Sequence, residues 1–326
     1  MHRDGNRLEH RRFPDLLEFL RAGDVLVLND SRVIPARLRG ANARTSGRFE
    51  ILLLAENVPN DWWVMLRPGK RARIGTQIIL ADADGKPADI RATVVESNDE
   101  GHRRLQFSGT PDIRRELERL GEVPLPPYIQ RFGRLTEDKD RYQTVFARTD
   151  GSVAAPTAGL HFTTDLLNTI RARGVEICFV TLHVGPGTFQ PVKTENLASH
   201  KIHEEQFEIG EETARAVNDA KTSGRRVIAV GTTTVRTLES VAARNGGKVC
   251  KTIEKTGIFI HPPFSFQIVD ALLTNFHLPR STLLMLVSAF ATPGEIRGRE
   301  MILAAYAEAI RERFRFFSYG DAMLIL

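Results

Sequence analysis

Val227-Ile228-Ala229-Val230-Gly231-Thr232-Thr233-Thr234-Val235-Arg236-Thr237-Leu238-Glu239-Ser240 limits the possible folds more than any other stretch. Four consecutive apolar residues ending in glycine read as a short buried strand, and the spacing of Val235, Leu238, Val241 and Ala242 reads as one helix face. A strand therefore passes through a small-residue turn into a helix. Glycine permits a tight turn and a close ligand, while Thr232 and Thr233 offer hydroxyls beside the unpaired N–H groups of the helix start. That suits a carboxylate, a ribose or a phosphate, although the same turn is also an ordinary α/β connection. Arg236 lies in the first helical turn, where the dipole disfavours a cation. Something negative should face it, and Glu239, three residues on, is the simplest partner.

Further elements of that kind follow along the chain. Val25-Leu26-Val27-Leu28 is a second continuous apolar strand, closed by Asn29-Asp30-Ser31-Arg32; these polar residues are turn formers or ligand contacts. Beyond residue 119 strands and helices alternate to the C-terminus, which predicts an α/β domain with a mostly parallel sheet and flanking helices. Between Arg37 and Ser108 the rhythm differs: short strand-like runs at 49–54, 62–66, 77–80, 90–95 and 104–107 are separated by turn residues, with no amphipathic helix between them. This predicts a small antiparallel β-barrel inserted into the chain. The expected division is 1–36 with 119–326 for the α/β domain and 37–118 for the barrel.

Composition narrows the function. With 326 residues and a net charge of +5, the chain is compatible with a polyanionic partner without requiring one. Arg67, Lys70, Arg71 and Arg73 cluster at one barrel turn, where they meet phosphates or simply water. Cys178 and Cys250 are too few for a disulfide framework and lack zinc-site spacing, so a reducing cytoplasm is expected. The longest apolar run, Leu283–Ala291, is too short to span a bilayer, and no membrane association is expected. His200 and His203 with Glu204 and Glu205 have no third ligand at recognisable spacing, so no metal is expected.

His161, His183 and His277 each lie beside a glycine or proline turn at an element boundary. Together they could converge on one cleft and move protons near neutral pH; singly, each is as well read as a hydrogen-bonded structural residue. Asp321 is either a strand-start turn or a carboxylate for a cationic or hydroxylated ligand. Phe316, Phe317 and Tyr319 either stack on a base or belong to the core.

Six stretches carry a resemblance: Leu26–Arg37, Ser152–Phe162, Thr181–Phe189, Ala229–Ser240, Leu273–Thr282 and Phe316–Met323. In this order they resemble the QueA family, the S-adenosylmethionine:tRNA ribosyltransferase-isomerases of queuosine biosynthesis. The resemblance runs from about residue 10 to the end of the chain. It implies transfer and isomerisation of the ribosyl part of S-adenosylmethionine onto 7-aminomethyl-7-deazaguanine at the tRNA wobble position, giving epoxyqueuosine-tRNA with release of adenine and methionine. S-adenosylmethionine is then a co-substrate, no metal is needed, and the partner is the anticodon loop of a tRNA with a GUN-type anticodon. A monomer is expected.

Under this resemblance His183, His277, Asp321 and His161 are the expected catalytic groups. Asn29, Asp30, Arg32, Thr157, Gly159, Gly185, Gly187, Thr188, Gly231, Thr232, Thr233, Arg236, Glu239, Asn275, Arg280 and Tyr319 are the expected substrate contacts, with Arg67, Lys70, Arg71 and Arg73 holding tRNA. The sulfonium acidifies its neighbouring C5′ hydrogens, so a held base can remove one, and departing adenine needs a proton. The sequence departs from the family pattern twice. Related chains begin earlier, with a strand and a Pro- and Arg-containing loop, and Pro186 replaces an expected leucine. The first departure leaves a non-catalytic tRNA-binding relative as the alternative. An ordinary methyltransferase is disfavoured because no Gly-rich loop follows the Leu26–Asn29 strand.

Overall fold

The structure, a computed structural model, describes every residue apart from 5–6, 127, 130–136 and 186–201. The chain forms two compact units: residues 1–32, 143–150 and 155–326, and residues 33–142 with 151–154.

The first unit is built on a seven-stranded sheet in the order Thr252–Thr256, Glu205–Ile209, Glu176–Leu182, Val25–Asn29, Val227–Val230, Ala271–Asn275 and Ala322–Ile325. The four central strands are parallel. The outer strands pair antiparallel, so the sheet is mixed around a parallel centre. Alternation of strands and helices signalled the centre, and the C-terminal strand was expected, but nothing showed that the edges pair antiparallel, because antiparallel neighbours need no helical crossover.

The central strands are apolar throughout because both faces are covered. Leu26, Leu28, Ile228 and Val230 pack with Phe162, Leu167 and Ile170 of the segment around the Thr164–Ala172 helix. Helices Glu211–Thr222 and Thr232–Arg244 pack on the strands bearing Val25, Val27 and Ala229, all fully buried. Thr163 caps the Thr164–Ala172 helix, its Oγ1 accepting from Leu166 N at 3.2 Å. From Val25–Asn29 the chain continues to a neighbour on one side, Glu176–Leu182. Its other neighbour, Val227–Val230, leads away to Ala271–Asn275. The winding therefore reverses between Val25–Asn29 and Val227–Val230, and open α/β sheets hold ligands at the carboxyl ends of strands at such a point.

The second unit is a closed six-stranded antiparallel barrel: Arg37–Asn42, Arg48–Val58, Asp61–Arg67, Arg103–Ser108, Pro87–Ser97 and Gln77–Ala81 in that order around the wall. Five strands match the runs read from sequence. The Arg37–Asn42 strand closes the barrel and was hidden by its two arginines and central glycine. Residues 33–142 and 151–154 form a larger unit than the 37–118 expected from the strand pattern. Ile34, Ala36, Ile113, Leu117, Leu120 and Val153 enter the barrel core, and Glu122 pairs with Arg37 through two backbone hydrogen bonds. Strand rhythm does not register such plugging residues.

A Cβ on Gly40 would stand 2.6 Å from the Ile79 carbonyl oxygen and 2.7 Å from Ile78 Cγ2, at the seam between the closing strand and its neighbour. Gly40→Ala should therefore cost about 1–3 kcal/mol in urea unfolding. Gly69→Ala, with nothing within 4 Å of the added methyl, should be nearly neutral by the same measurement.

Candidate active site

Each strand of the parallel centre ends in, or runs directly into, a turn bearing polar residues, and all four ends lie on one rim of the sheet. Asn29 is the junction. Its Oδ1 accepts from Leu182 N at 3.0 Å and Ser31 N at 3.1 Å. Its Nδ2 donates to the Leu182 carbonyl at 3.0 Å and to Thr233 Oγ1 at 3.3 Å. These four bonds use the side chain's two donors and both lone pairs, and through them Asn29 joins three strand ends.

Asp30 is similarly engaged. Thr181 Oγ1 donates to its Oδ1 at 2.6 Å, and Arg148 donates to Oδ2 from Nε at 3.0 Å and Nη2 at 2.7 Å. Ser31 Oγ meets His183 Nδ1 at 2.8 Å, fixing the ring at the end of the Glu176–Leu182 strand. Arg32 is exposed and lies 3.8 Å from Asp150. Gly231, at φ +88°, makes the turn from strand to helix, and its N–H donates to Leu273 O at 2.8 Å. Thr232 and Thr233 are buried at that helix start.

Arg236 does not pair with Glu239. The Glu239 carboxylate accepts from three backbone amides, Gln267 at 2.8 Å, Ile268 at 3.0 Å and Val269 at 2.9 Å. Burial drives its pKa upward, against those amides. It clamps a loop and leaves no oxygen directed at the rim. Arg236 Nη1 instead binds Glu205 Oε2, while Oε1 of the same carboxylate accepts from Gly185 N at 2.9 Å. Spacing along a helix suggested Glu239; the partner came from a strand that only the tertiary fold brings near.

The other end of the rim holds Asn275, Thr157 and two histidines. Thr157 Oγ1 donates to Asn275 Oδ1 at 2.8 Å, and Asn275 Nδ2 lies 3.4 Å from His161 Nε2. His161 stacks on Phe13, with ring centroids 4.8 Å apart and planes at 19°. Burial lowers its pKa, with Asp321 opposing the shift. His277 Nε2 lies 2.9 Å from Thr274 Oγ1, and desolvation pushes its pKa down to about 4. Both imidazoles are set to be neutral at neutral pH, which suits a proton acceptor.

Asp321 lies at the same rim because Ala322 pairs with Asn275 across the antiparallel edge. Arg315 grips it, donating from its backbone N to Oδ2 at 2.7 Å and from Nη2 to Oδ1 at 2.7 Å. Burial raises the Asp321 pKa, but these bonds outweigh it and the net shift is downward. A cavity of about 450 Å³ is lined by His161, Asp321, Arg315, Phe13, Phe276 and Phe314, among others. His183 and His277 are not among its lining residues, so the three histidines share a rim but not this cavity.

Gly159 answers to packing: a Cβ there would meet Phe146 Cζ at 2.8 Å and Thr144 Cγ2 at 2.9 Å. Phe316, half-buried, stacks on Phe276 with ring centroids 4.7 Å apart, and Tyr319 is half-buried on the turn before Asp321. Arg280 is exposed just before the Thr282–Ala291 helix. Gly187, Thr188 and His200 lie outside the described residues. Among the described residues no cluster of three metal-ligating side chains occurs, and no helix is long and apolar enough to cross a membrane. In the barrel unit Arg67, Lys70, Arg71 and Arg73 are all exposed around a turn braced by Arg103, which donates to Ala72 O at 3.0 Å and Gly69 O at 3.3 Å.

Sequence reasoning missed Arg148, Arg315 and Phe13, and it considered Ser31 only within the polar turn after Leu28 and Glu205 only as a candidate metal ligand. Arg148, Ser31, Glu205 and Phe13 act through partners far along the chain, whereas Arg315 meets Asp321 six residues on.

Residues 1–325 match the family described as queuosine biosynthesis protein. The chain is 51% identical over 326 residues to the S-adenosylmethionine:tRNA ribosyltransferase-isomerase of Desulforamulus reducens, covering all of this chain and 91% of that one. The crystal structure of S-adenosylmethionine tRNA ribosyltransferase from Thermotoga maritima is similar at 36% identity with a TM-score of 0.52, over 100% of this chain and 90% of that one.

By NMR titration, His277 should protonate near pH 4 and His161 below its ordinary value. A histidine whose folded pKa is depressed binds its proton more readily when unfolded. Its contribution to stability is thus intact above about pH 6.5 and lost as pH falls toward 4. His277→Gln should flatten the stability profile across that window.

Proposed function

The chain belongs to the queuosine biosynthesis protein family, and from that premise we propose that it is an S-adenosylmethionine:tRNA ribosyltransferase-isomerase. The observation that carries this reading is the unbroken full-length match at 51% identity. The same extent disfavours a non-catalytic tRNA-binding relative. The reaction transfers the ribosyl moiety of S-adenosylmethionine to 7-aminomethyl-7-deazaguanine in the wobble position of a tRNA with a GUN-type anticodon, and releases adenine and methionine.

The geometry supports this chemistry. Neighbouring strands stand about 5 Å apart, so His183 and Asn275, three strands from each other, span roughly 15 Å. That is room for one nucleoside with an amino-acid tail and a second base beside it. Neutral His277 and His161 suit removal of an acidified C5′ proton, and His183, oriented at the strand end by Ser31, suits proton delivery to departing adenine. Thr157, Thr232 and the Gly231 turn suit ribose hydroxyls. Asp30 and Asp321 are bound to arginines, so they act chiefly by holding the rim in shape. The exposed Arg67, Lys70, Arg71 and Arg73 suit tRNA phosphates. The protein works as a cytoplasmic monomer and without a metal in this reading.

Incubation with S-adenosylmethionine and tRNA carrying the precursor base should release adenine; a folded, tRNA-binding preparation that releases none would defeat the proposal. His183→Ala should lower kcat by about 10²–10⁴-fold, the usual worth of a general acid or base, while tRNA affinity persists. Arg67→Ala with Lys70→Ala should weaken tRNA binding and reduce the slope of log K against log salt by about one to two. An unchanged slope would exclude this barrel turn as a phosphate contact.

A further inference from the structure

Arg236 is buried, with 7% of its surface exposed. Its Nη1 is engaged by Glu205, yet among the described residues neither Nε nor Nη2 has a hydrogen-bond partner, and both atoms are shielded from solvent. Those two N–H groups form one edge of the planar guanidinium and point the same way, in the geometry that accepts a carboxylate side-on.

The protein uses this edge repeatedly. Arg39 holds Glu122 with it, Arg104 holds Asp61, Arg226 holds Asp24 and Arg315 holds Asp321, each through Nε and Nη2 together. Arg148 holds Asp30 in the same way. Arg236 is more buried than the arginines of these pairs. It is the one that most needs an anion on that edge, since a buried donor left unpaired is costly and a charged one more so. Glu205 binds Nη1, off that edge, and its other oxygen accepts from Gly185 N, so it leaves Nε and Nη2 without a partner among the described residues.

We propose that the Nε/Nη2 edge of Arg236 receives the α-carboxylate of the methionine part of S-adenosylmethionine. This rests on the ribosyl-donor reading above and adds which group of the donor is recognised, and by what. The position is consistent: Arg236 lies one turn into the helix that starts at Gly231, beside Thr233 and the Gly185 turn, at the point where the sheet's winding reverses. A carboxylate held there anchors the amino-acid end, leaving the sulfonium and ribose to lie along the rim toward Asn275. Glu205 keeps the guanidinium in plane and offsets its charge, so the edge discriminates by shape as well as by charge.

The test compares binding of S-adenosylmethionine with that of its decarboxylated form, by calorimetry, in the wild-type protein and in Arg236→Gln and Arg236→Lys. Wild type should bind the decarboxylated form about ten- to a hundred-fold more weakly, the worth of a charge-assisted pair. In Arg236→Gln that ratio should fall to near one. Arg236→Lys, which keeps the charge and loses the two-pronged edge, should fall between. Equal binding of both ligands by wild type overturns the assignment without recourse to any variant, so a misfolded Arg236→Gln cannot shelter it. An unchanged ratio in a folded Arg236→Gln also overturns it. If inorganic phosphate binding to wild type is lost in Arg236→Gln while the ligand ratio stays put, the edge takes a phosphate and the proposal fails. Adenine release from wild type with S-adenosylmethionine separates these outcomes from failure of the ribosyl-donor reading itself.

Discussion

The four hydrogen bonds of the Asn29 side chain are the constraint on which the rim depends. A parallel sheet leaves its strand ends as separate loops, each free to wander, because hydrogen bonding along the strands stops where they stop. Asn29 extends the order by one more layer. It ties its own turn to the end of Glu176–Leu182 through Leu182 N and O, and to the helix start after Val227–Val230 through Thr233. With donors and acceptors all satisfied in a buried place, the network is rigid, and a half-satisfied version would be worse than none.

Around that junction the carboxylates follow a common plan. Asp30, Glu205 and Asp321 each sit at or beside a strand end on the rim, and each is joined to an arginine, distant in the chain for Asp30 and Glu205 and on the preceding turn for Asp321. Such pairs add little net stability where they are exposed. Their effect is positional: the Thr181 hydroxyl and the Gly185 and Arg315 backbone N–H groups are held by the second oxygen of the same carboxylates. The rim is thus a set of braced turns, and the groups left to meet a ligand are hydroxyls, imidazoles and the remaining edge of Arg236. This division fits a reaction on a sulfonium nucleoside, in which holding a long flexible substrate in reach of a neutral base supplies much of the advantage.

The histidines show how burial assigns roles that identity alone leaves open. His277 and His161 carry the same side chain as His183, but loss of water around them lowers their proton affinity. They can take a proton at neutral pH but hold one poorly. His183 faces a hydroxyl at the half-buried far end of the same rim. A sequence reading saw three histidines at three turns and treated them alike.

Apolar runs such as Val25–Leu28 and Val227–Val230 declared their own strands, because a segment buried on both faces has no other composition available to it. Gly231 with its threonines declared the turn, and the strand rhythm from Phe49 to Phe107 declared the barrel. The terminal strand at Ala322–Ile325 was legible, but the antiparallel pairing of the edges, the closing strand at Arg37–Asn42 and the residues that plug the barrel core were not, since pairing direction and plugging leave no local signature. The site divided along the same line. The sequence determined which polar types stand at strand ends, and so which residues could take part. Only the tertiary structure decided that Asn29 and Glu239 bind the chain itself, that Gly159 makes way for Phe146, and that Arg236 meets Glu205 from a distant strand. Hydrogen-bond partners across such separations are set by the packing of whole elements, which no local spacing encodes.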